Sequence, residues 1–114
     1  MNTFTISGHI IDILNNDIFS GEITVNSNRI ESIKKCKTTK EQYILPGLID
    51  SHVHIESSML VPVEFSKYAA KSGVLSVVAD PHEIANVLGL KGVDYFIDSI
   101  DEGGIKIYFA APSC

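Results

Sequence analysis

Two histidines stand one residue apart, at positions 52 and 54, directly after the apolar run YILPGLI of residues 43–49. Alternate residues of a strand point to the same face, so the two imidazoles project together if the strand continues through them. Neutral imidazoles side by side at the C-terminal end of a strand can both ligate one divalent transition metal. The pair therefore predicts a metal site with His52 and His54 as ligands, although a bare HxH pattern also arises by chance.

Carboxylates on both sides of the pair strengthen this interpretation. Asp50 lies two residues before His52, and Glu56 lies two residues after His54. Metal-bound histidines commonly donate their second ring N–H to a carboxylate or a carbonyl oxygen. We therefore expect Asp50 or Glu56 to orient one of the ligand imidazoles. This context favours a metal ligand over a buried histidine that is merely hydrogen-bonded.

A second polar cluster follows the apolar run of residues 74–79 and consists of Asp80, Pro81, His82 and Glu83. It permits two interpretations. As a helix start, Asp80 would be the N-cap, Pro81 the first helical residue, and Glu83 the end of a modified capping box. As a pocket wall, the cluster would lie on the same rim as the histidine pair, because the C-terminal ends of parallel strands share one edge. Capping alone does not explain His82, and both interpretations stay open. His9, in the preceding segment, receives no role.

The first part of the chain has the pattern of an antiparallel, half-exposed sheet. Residues 3–14 predict one strand, or two strands with a bend at Gly8. Residues 22–26 and 29–34 alternate apolar and polar side chains around a turn-forming Asn-Ser-Asn linker, which predicts a β-hairpin. The polar segment 35–42 fits a surface connection.

The second part has the order strand, helix, strand, helix, strand. The three apolar runs 43–49, 74–79 and 105–111 predict strands buried on both faces, as in a parallel sheet. One helical pattern runs from Pro62 to Gly73; the other contains Val93, Phe96, Ile97 and Ile100 and ends at Gly103 and Gly104. Strands about 30 residues apart are typical of βαβ units, found in doubly wound sheets and (β/α)₈ barrels. Three strands complete neither fold, since a barrel takes roughly 250 residues.

Composition narrows the class of protein. The 114 residues are 45% hydrophobic and 20% charged, as in ordinary globular domains. A net charge of −5 without a Lys/Arg cluster argues against nucleic acid or an anionic membrane surface as a partner. We expect no signal peptide and no membrane span, and we expect Cys36 and Cys114 to be free thiols in a reducing, cytoplasmic compartment. The apolar stretch that ends at Cys114 suggests part of a longer chain.

Two stretches carry a family resemblance: PGLIDSHVHIESSML at residues 46–60 and VVADPHEIANVLG at residues 77–89. They resemble the adenine deaminases of the amidohydrolase superfamily. The pattern PG-x-ID-x-HVH is common to that superfamily, whereas IESSM followed by ADPHEIANV is much narrower. The resemblance covers the whole chain, because the N-terminal hairpin region resembles the small β-sandwich that precedes the barrel in these enzymes.

The resemblance implies an α/β chain in which residues 43–114 are the first three βα units of a (β/α)₈ barrel and residues 1–42 are part of a β-sandwich. It implies hydrolysis of adenine to hypoxanthine and ammonia at a divalent metal site, binuclear with manganese or iron. His52 and His54 match the first two ligands. The other ligands and the proton-shuttle aspartate would lie beyond residue 114, so no catalytic residue is assigned here. Candidates to contact substrate or support the ligands are Asp80, His82, Glu83, Glu56 and Asp50.

Further expectations and alternatives follow from the same resemblance. The partners would be adenine and further copies of the chain, with no nucleic acid and no membrane. The 114-residue chain alone would be inactive. One alternative is another cyclic amidohydrolase or deaminase of the superfamily, and the other is a truncated product without catalysis.

Overall fold

The computed structural model describes residues 2–100 and 104–111, and the chain divides into two compact units, Met1–Pro46 and Gly47–Cys114. The first unit is a four-stranded sheet in the order β3-β2-β1-β4. Strands β1 to β3 pair antiparallel, and the short β4 pairs parallel with β1. The strands of this unit are β1 (Thr3–Asp12), β2 (Asp17–Asn26), β3 (Arg29–Lys35) and β4 (Tyr43–Ile44).

The turns of the first sheet follow from their sequences. Ser27 and Asn28 have positive φ angles of 50° and 65°, the conformation that a two-residue turn needs to match the strand twist, and the predicted hairpin is confirmed. At the β1–β2 turn the Asp12 carboxylate accepts hydrogen bonds from the backbone of Leu14 and from Asn15. These hydrogen bonds lower the pKa of the Asp12 carboxyl, and the bond from the Asn15 side chain contributes most. Residues 3–12 form one strand, without a break at Gly8.

One face of the first sheet is apolar and open. Cross-strand partners share a face, and here Phe4 pairs with Val25 and Ile6 with Ile23. Ile30 and Ile33 reach the same face although they are three residues apart, because the register of β3 shifts between its partners Thr24 and Val25. Phe4, Ile30 and Ile33 are 53%, 62% and 51% exposed. A concavity of about 640 Å³ lies along this face, which we call the first-sheet apolar face.

The second unit confirms the predicted alternation of strands and helices. Its three strands are all parallel, in the order β5-β6-β7, and helices connect them. The elements in chain order are β5 (Leu48–Val53), a short 3₁₀ turn (Glu56–Ser58), α1 (Pro62–Lys71), β6 (Val74–Ala79), α2 (His82–Leu88), α3 (Leu90–Asp98) and β7 (Lys106–Phe109). No helix in residues 2–100 or 104–111 has the length and apolarity needed to cross a membrane.

Two predicted elements are divided by a backbone feature. The run 43–49 is not one strand, because β4 ends at Ile44 in the first sheet and β5 begins at Leu48 in the second, with Pro46 between them. Proline has no N–H to donate to a sheet, which suits this break. The second helical pattern is two helices separated by Gly89, whose φ of 64° and ψ of −150° are accessible almost only to glycine. Gly103, predicted to end that pattern, lies outside the described residues.

The core of the second unit lies on one face of its sheet. Ile55, Ala79 and Phe96 are at most 4% exposed. The core as a whole draws on all three helices and all three strands, because partly buried apolar side chains pack around these three: Val53, Phe65, Ile84, Ile107 and Phe109. The prediction that these strands are buried on both faces is wrong for all three, because Leu75 of β6 and Tyr108 of β7 are 58% and 57% exposed, and β5 is more exposed still. This strand is at the edge of the sheet, and its Leu48 and Ile49 are 51% and 72% exposed.

The first-sheet apolar face predicts that the 114-residue chain associates with itself. Replacing Ile30 and Ile33 together by lysine should weaken association at least tenfold, because each change forfeits about 1.5–3 kcal/mol of apolar burial. Leu90→Lys, at a site 82% exposed on α3, is the matched control and should leave association unchanged. Sedimentation at several concentrations measures the effect, and a chain that stays monomeric throughout would refute it.

Candidate metal centre

The histidine pair lies at the C-terminal end of β5. Asp50 Oδ1 accepts a hydrogen bond from the backbone N–H of His52 at 3.2 Å, which fixes the strand where it ends. His52 is exposed and His54, the residue after Val53, is half-buried. The two Nε2 atoms are 3.1 Å apart. The prediction that these rings project together therefore agrees with their geometry.

The tautomer of His54 follows from its partner. His54 Nδ1 lies 3.1 Å from the backbone carbonyl oxygen of Asp80. A carbonyl can only accept, so Nδ1 donates and Nε2 of the neutral ring carries the lone pair. That lone pair faces His52 Nε2 at 3.1 Å. Two nitrogens bound at 2.0–2.1 Å to one tetrahedral ion would be about 3.4 Å apart, so the pair fits a shared ion with little adjustment.

Asp80 and His82 extend this centre from the neighbouring strand. The Asp80 carboxylate accepts through Oδ2 from His82 Nδ1 at 3.1 Å, and the two side chains are only 14% and 27% exposed respectively. The rings of His54 and His82 meet edge-on with centroids 4.7 Å apart. Ligand atoms of His54, Asp80 and His82 lie within 4.8 Å of one another. The C-terminal ends of β5 and β6 thus bring together four of the predicted site residues.

The capping interpretation of Asp80 is wrong. Helix α2 begins at His82, so its N-cap residue is Pro81 and not Asp80. The N-cap side chain makes no hydrogen bond to the first turn of the helix. The cap comes instead from the loop after β5, where Glu56 Oε1 accepts from the backbone N–H of Ile84 at 3.1 Å. No local pattern indicates this cap, because Glu56 and Ile84 are 28 residues apart. Asp80 is therefore able to hold His82.

The remaining predicted residues support the loop and helix around the centre. Ser57, to which the sequence analysis assigned no role, donates through Oγ to Glu83 Oε1 at 2.8 Å. Glu56 and Glu83 thus both form hydrogen bonds that connect the loop after β5 to the start of α2. Asp50 contacts the backbone of His52 and not an imidazole. His9 belongs to the first unit, with Nδ1 3.4 Å from Ser20 Oγ.

Two carboxylate oxygens of this region are buried without a hydrogen-bond partner among the described residues: Asp80 Oδ1 and Glu56 Oε2. A buried acceptor without a partner costs about 1–3 kcal/mol. Imidazole nitrogens and a carboxylate oxygen are a donor set that suits zinc, manganese, iron or cobalt. The chemistry of these residues therefore fits a divalent transition metal.

Comparison with known proteins agrees with this fold and donor set. The model of the amidohydrolase family matches residues 43–114, and the chain belongs to that family. Among curated proteins it is 49% identical to an adenine deaminase of Methanosphaera stadtmanae over 96% of the chain. It is 48% identical to the adenine deaminase of Methanosarcina barkeri over 96% of the chain, and 44% identical to that of Borreliella afzelii over all 114 residues of the chain. The chain spans about a fifth of these relatives, 20%, 20% and 21% of their lengths respectively.

The cap supplied by Glu56 predicts a measurable contribution to stability. Glu56→Ala should lower the free energy of unfolding by about 1 kcal/mol, because Ile84 N–H loses its acceptor, whereas Glu56→Gln keeps an acceptor oxygen and should cost less. Glu64→Ala is the matched control, since Glu64 lies in the first turn of α1 and pairs with Lys67 at the surface at 2.6 Å. Urea unfolding followed by circular dichroism measures all three variants. Equal losses for Glu56→Ala and Glu64→Ala would refute the cap.

Proposed function

We propose that this chain is the N-terminal part of a metal-dependent adenine deaminase that hydrolyses adenine to hypoxanthine and ammonia. The observation that carries the proposal is a four-residue donor cluster at the strand ends of an amidohydrolase chain that is 44–49% identical to adenine deaminases. In this proposal residues 43–114 begin a (β/α)₈ barrel, and residues 1–42 are part of a β-sandwich. The complete protein would be a cytoplasmic homo-oligomer.

His52 and His54 would hold the metal, which we propose to be a binuclear manganese or iron centre. When bound, a divalent ion activates water for attack near neutral pH. This chain supplies the positioning: the carbonyl of Asp80 fixes the tautomer of His54, and Asp50 fixes the backbone of His52. Proton transfer to the purine ring and to the leaving amine would be the task of residues beyond 114.

Glu83 is our candidate for contact with the purine. It stands at the start of α2, next to His82, and Ser57 holds one of its carboxylate oxygens at 2.8 Å. A carboxylate that is held by a hydroxyl is positioned before substrate arrives, which lowers the entropy cost of binding. Adenine offers an exocyclic amine and one ring N–H from which a carboxylate can accept a hydrogen bond.

Substitution of the histidine pair tests the metal site in the complete enzyme. His52→Ala or His54→Ala should lower bound metal and abolish adenine deamination, because each removes a ligand. His9→Ala, in the first unit, is the matched control and should keep both properties. Metal content is measured by atomic emission and turnover by ammonia release. Full metal content and normal turnover in either of the first two variants would show that the ligand assignment is wrong.

Substitution of Glu83 tests the purine contact separately from stability. Glu83→Gln should reduce turnover of adenine at least tenfold while its melting temperature stays close to that of the parent, because the amide keeps the size and the bond to Ser57. Glu64→Gln, a first-turn carboxylate on α1, controls for the loss of a surface charge. Kinetics and melting are compared in the same preparations. Unchanged kinetics for Glu83→Gln would remove Glu83 from the substrate pocket.

A panel of substrates separates adenine deaminase from the alternative, another cyclic amidohydrolase. The complete enzyme should release ammonia from adenine in preference to cytosine, guanine and cyclic amides. The 114-residue chain alone should release none, since it spans only about a fifth of the enzymes it resembles. Preference for another member of the panel would favour the alternative.

A further inference from the structure

The third strand of the second unit, β7, carries an aromatic side chain on the sheet face that bears the histidine pair. We propose that this residue, Tyr108, packs its ring against the purine ring of the substrate and so contributes to the choice of substrate. The inference rests on the proposed function, because it takes the substrate to be a purine held beside His52 and His54.

The direction of the Tyr108 side chain follows from the strand register. Ala79 of β6 pairs with Val53 of β5 on one side and with Phe109 of β7 on the other. The backbone N–H of Ala110 donates to the Ala79 carbonyl at 2.9 Å, so β6 and β7 stay paired through this row. Ala79 is 1% exposed, and Val53 and Phe109 pack against the same core. The row of three residues therefore faces the helices.

The preceding row points to the opposite face, because successive residues of a strand alternate between the two faces of a sheet. It consists of His52, Val78 and Tyr108, of which Val78 and Tyr108 are cross-strand partners. The ring of His52 meets that of His54 with centroids 4.8 Å apart, which agrees with a common direction on either side of Val53. Tyr108 thus shares a face and a row with the first proposed metal ligand.

The space between His52 and Tyr108 has the width of a flat ring. Neighbouring strands are about 4.8 Å apart, so the backbones of these two residues, on the first and third strands, are about 10 Å apart. The residue between them is Val78, whose side chain is short and half-buried. A planar ring above Val78 would be about 5 Å from each neighbour, within the 4.5–7 Å range of aromatic ring centroids in contact.

A tyrosine at this position suits a substrate contact better than a packing role. The inner layers of (β/α)₈ barrels are filled mostly by Val, Ile and Leu, whereas a tyrosine also carries a hydroxyl that needs a partner. Tyr108 is 57% exposed, so the described residues leave more than half of its surface free for a ligand. Its ring is rigid and has few rotatable bonds, so contact with a flat ring costs little conformational entropy.

Variants of the complete enzyme test the contact by kinetics. Tyr108→Leu should raise the KM for adenine and the inhibition constant of hypoxanthine by at least about tenfold, the usual loss when an aromatic ring that stacks on a base is removed. Its kcat should change less, because a contact made equally in the ground state and the transition state affects KM. Tyr108→Phe keeps the ring and should keep both constants within about threefold of the parent's.

Tyr68→Leu is the matched control, because Tyr68 lies on α1 with a similar exposure of 60%, and it should leave both constants unchanged. Metal content and melting temperature are measured for every variant. Parental constants in Tyr108→Leu would overturn the inference, and a loss as large in Tyr108→Phe would overturn the ring contact. If the complete enzyme does not deaminate adenine, the proposed function itself fails, which turnover by the parent shows before any variant is compared.

Nitration of the unmodified enzyme gives a second test that does not require a variant to fold. Tetranitromethane should nitrate Tyr108 in the free enzyme, and saturating hypoxanthine should protect Tyr108 but not Tyr68, as measured by mass spectrometry of peptides. Equal nitration of Tyr108 with and without hypoxanthine would overturn the inference. A Tyr108 that resists nitration in both states would also overturn it, because the ring would then be packed inside the protein and out of reach of a substrate.

Discussion

The centre depends on the hydrogen bonds of one residue, Asp80, which joins the ends of two parallel strands. Its backbone N–H donates to the carbonyl of Val53 at 3.0 Å, which continues the pairing of β5 and β6 to the edge of the sheet. Its carbonyl accepts from His54, and its carboxylate accepts from His82. Strand pairing and side-chain orientation are therefore set by the same residue. A shift of Asp80 along β6 would move both imidazoles relative to His52.

The cost of this arrangement is concentrated where chemistry is expected. Asp80 Oδ1 and Glu56 Oε2 are buried acceptors without partners among the described residues, at about 1–3 kcal/mol each. The two carboxylates differ in what compensates this cost. Glu56 places its charge at the N-terminus of α2, where the exposed N–H groups of the first turn favour an anion. Asp80 Oδ1 has no such compensation from the described residues.

Local signals in the sequence predicted the alternation of strands and helices in the second unit, the hairpin in the first unit, and the proximity of the two histidine-bearing segments. Alternate residues of a strand share a face, which predicted that His52 and His54 project together. The C-terminal ends of parallel strands lie at the same edge of a sheet, which predicted that the residues after β6 lie beside them. The features that local sequence patterns could not predict are those that depend on tertiary contacts. The cap of α2 comes from Glu56, 28 residues before the N–H that it accepts, although Asp80 has the spacing of a cap. Burial likewise depends on which elements pack against a sheet, so Ile49 of the edge strand β5 is 72% exposed despite its apolar neighbours in sequence.

Metal binding and folding would be coupled in the second unit, because its buried core is small. Ile55, Ala79 and Phe96 form the centre of that core, whereas Ile49 and Leu75 of the same sheet are 72% and 58% exposed. A ligand that binds only the folded state adds stability that grows with its concentration, about 2.7 kcal/mol at a hundred times its dissociation constant. In the proposed site the ion would be held by His52 and His54, which lie at the end of the strand that the backbone of Asp80 joins to β6. The ligand would then stabilise the strand pairing that positions its own donors.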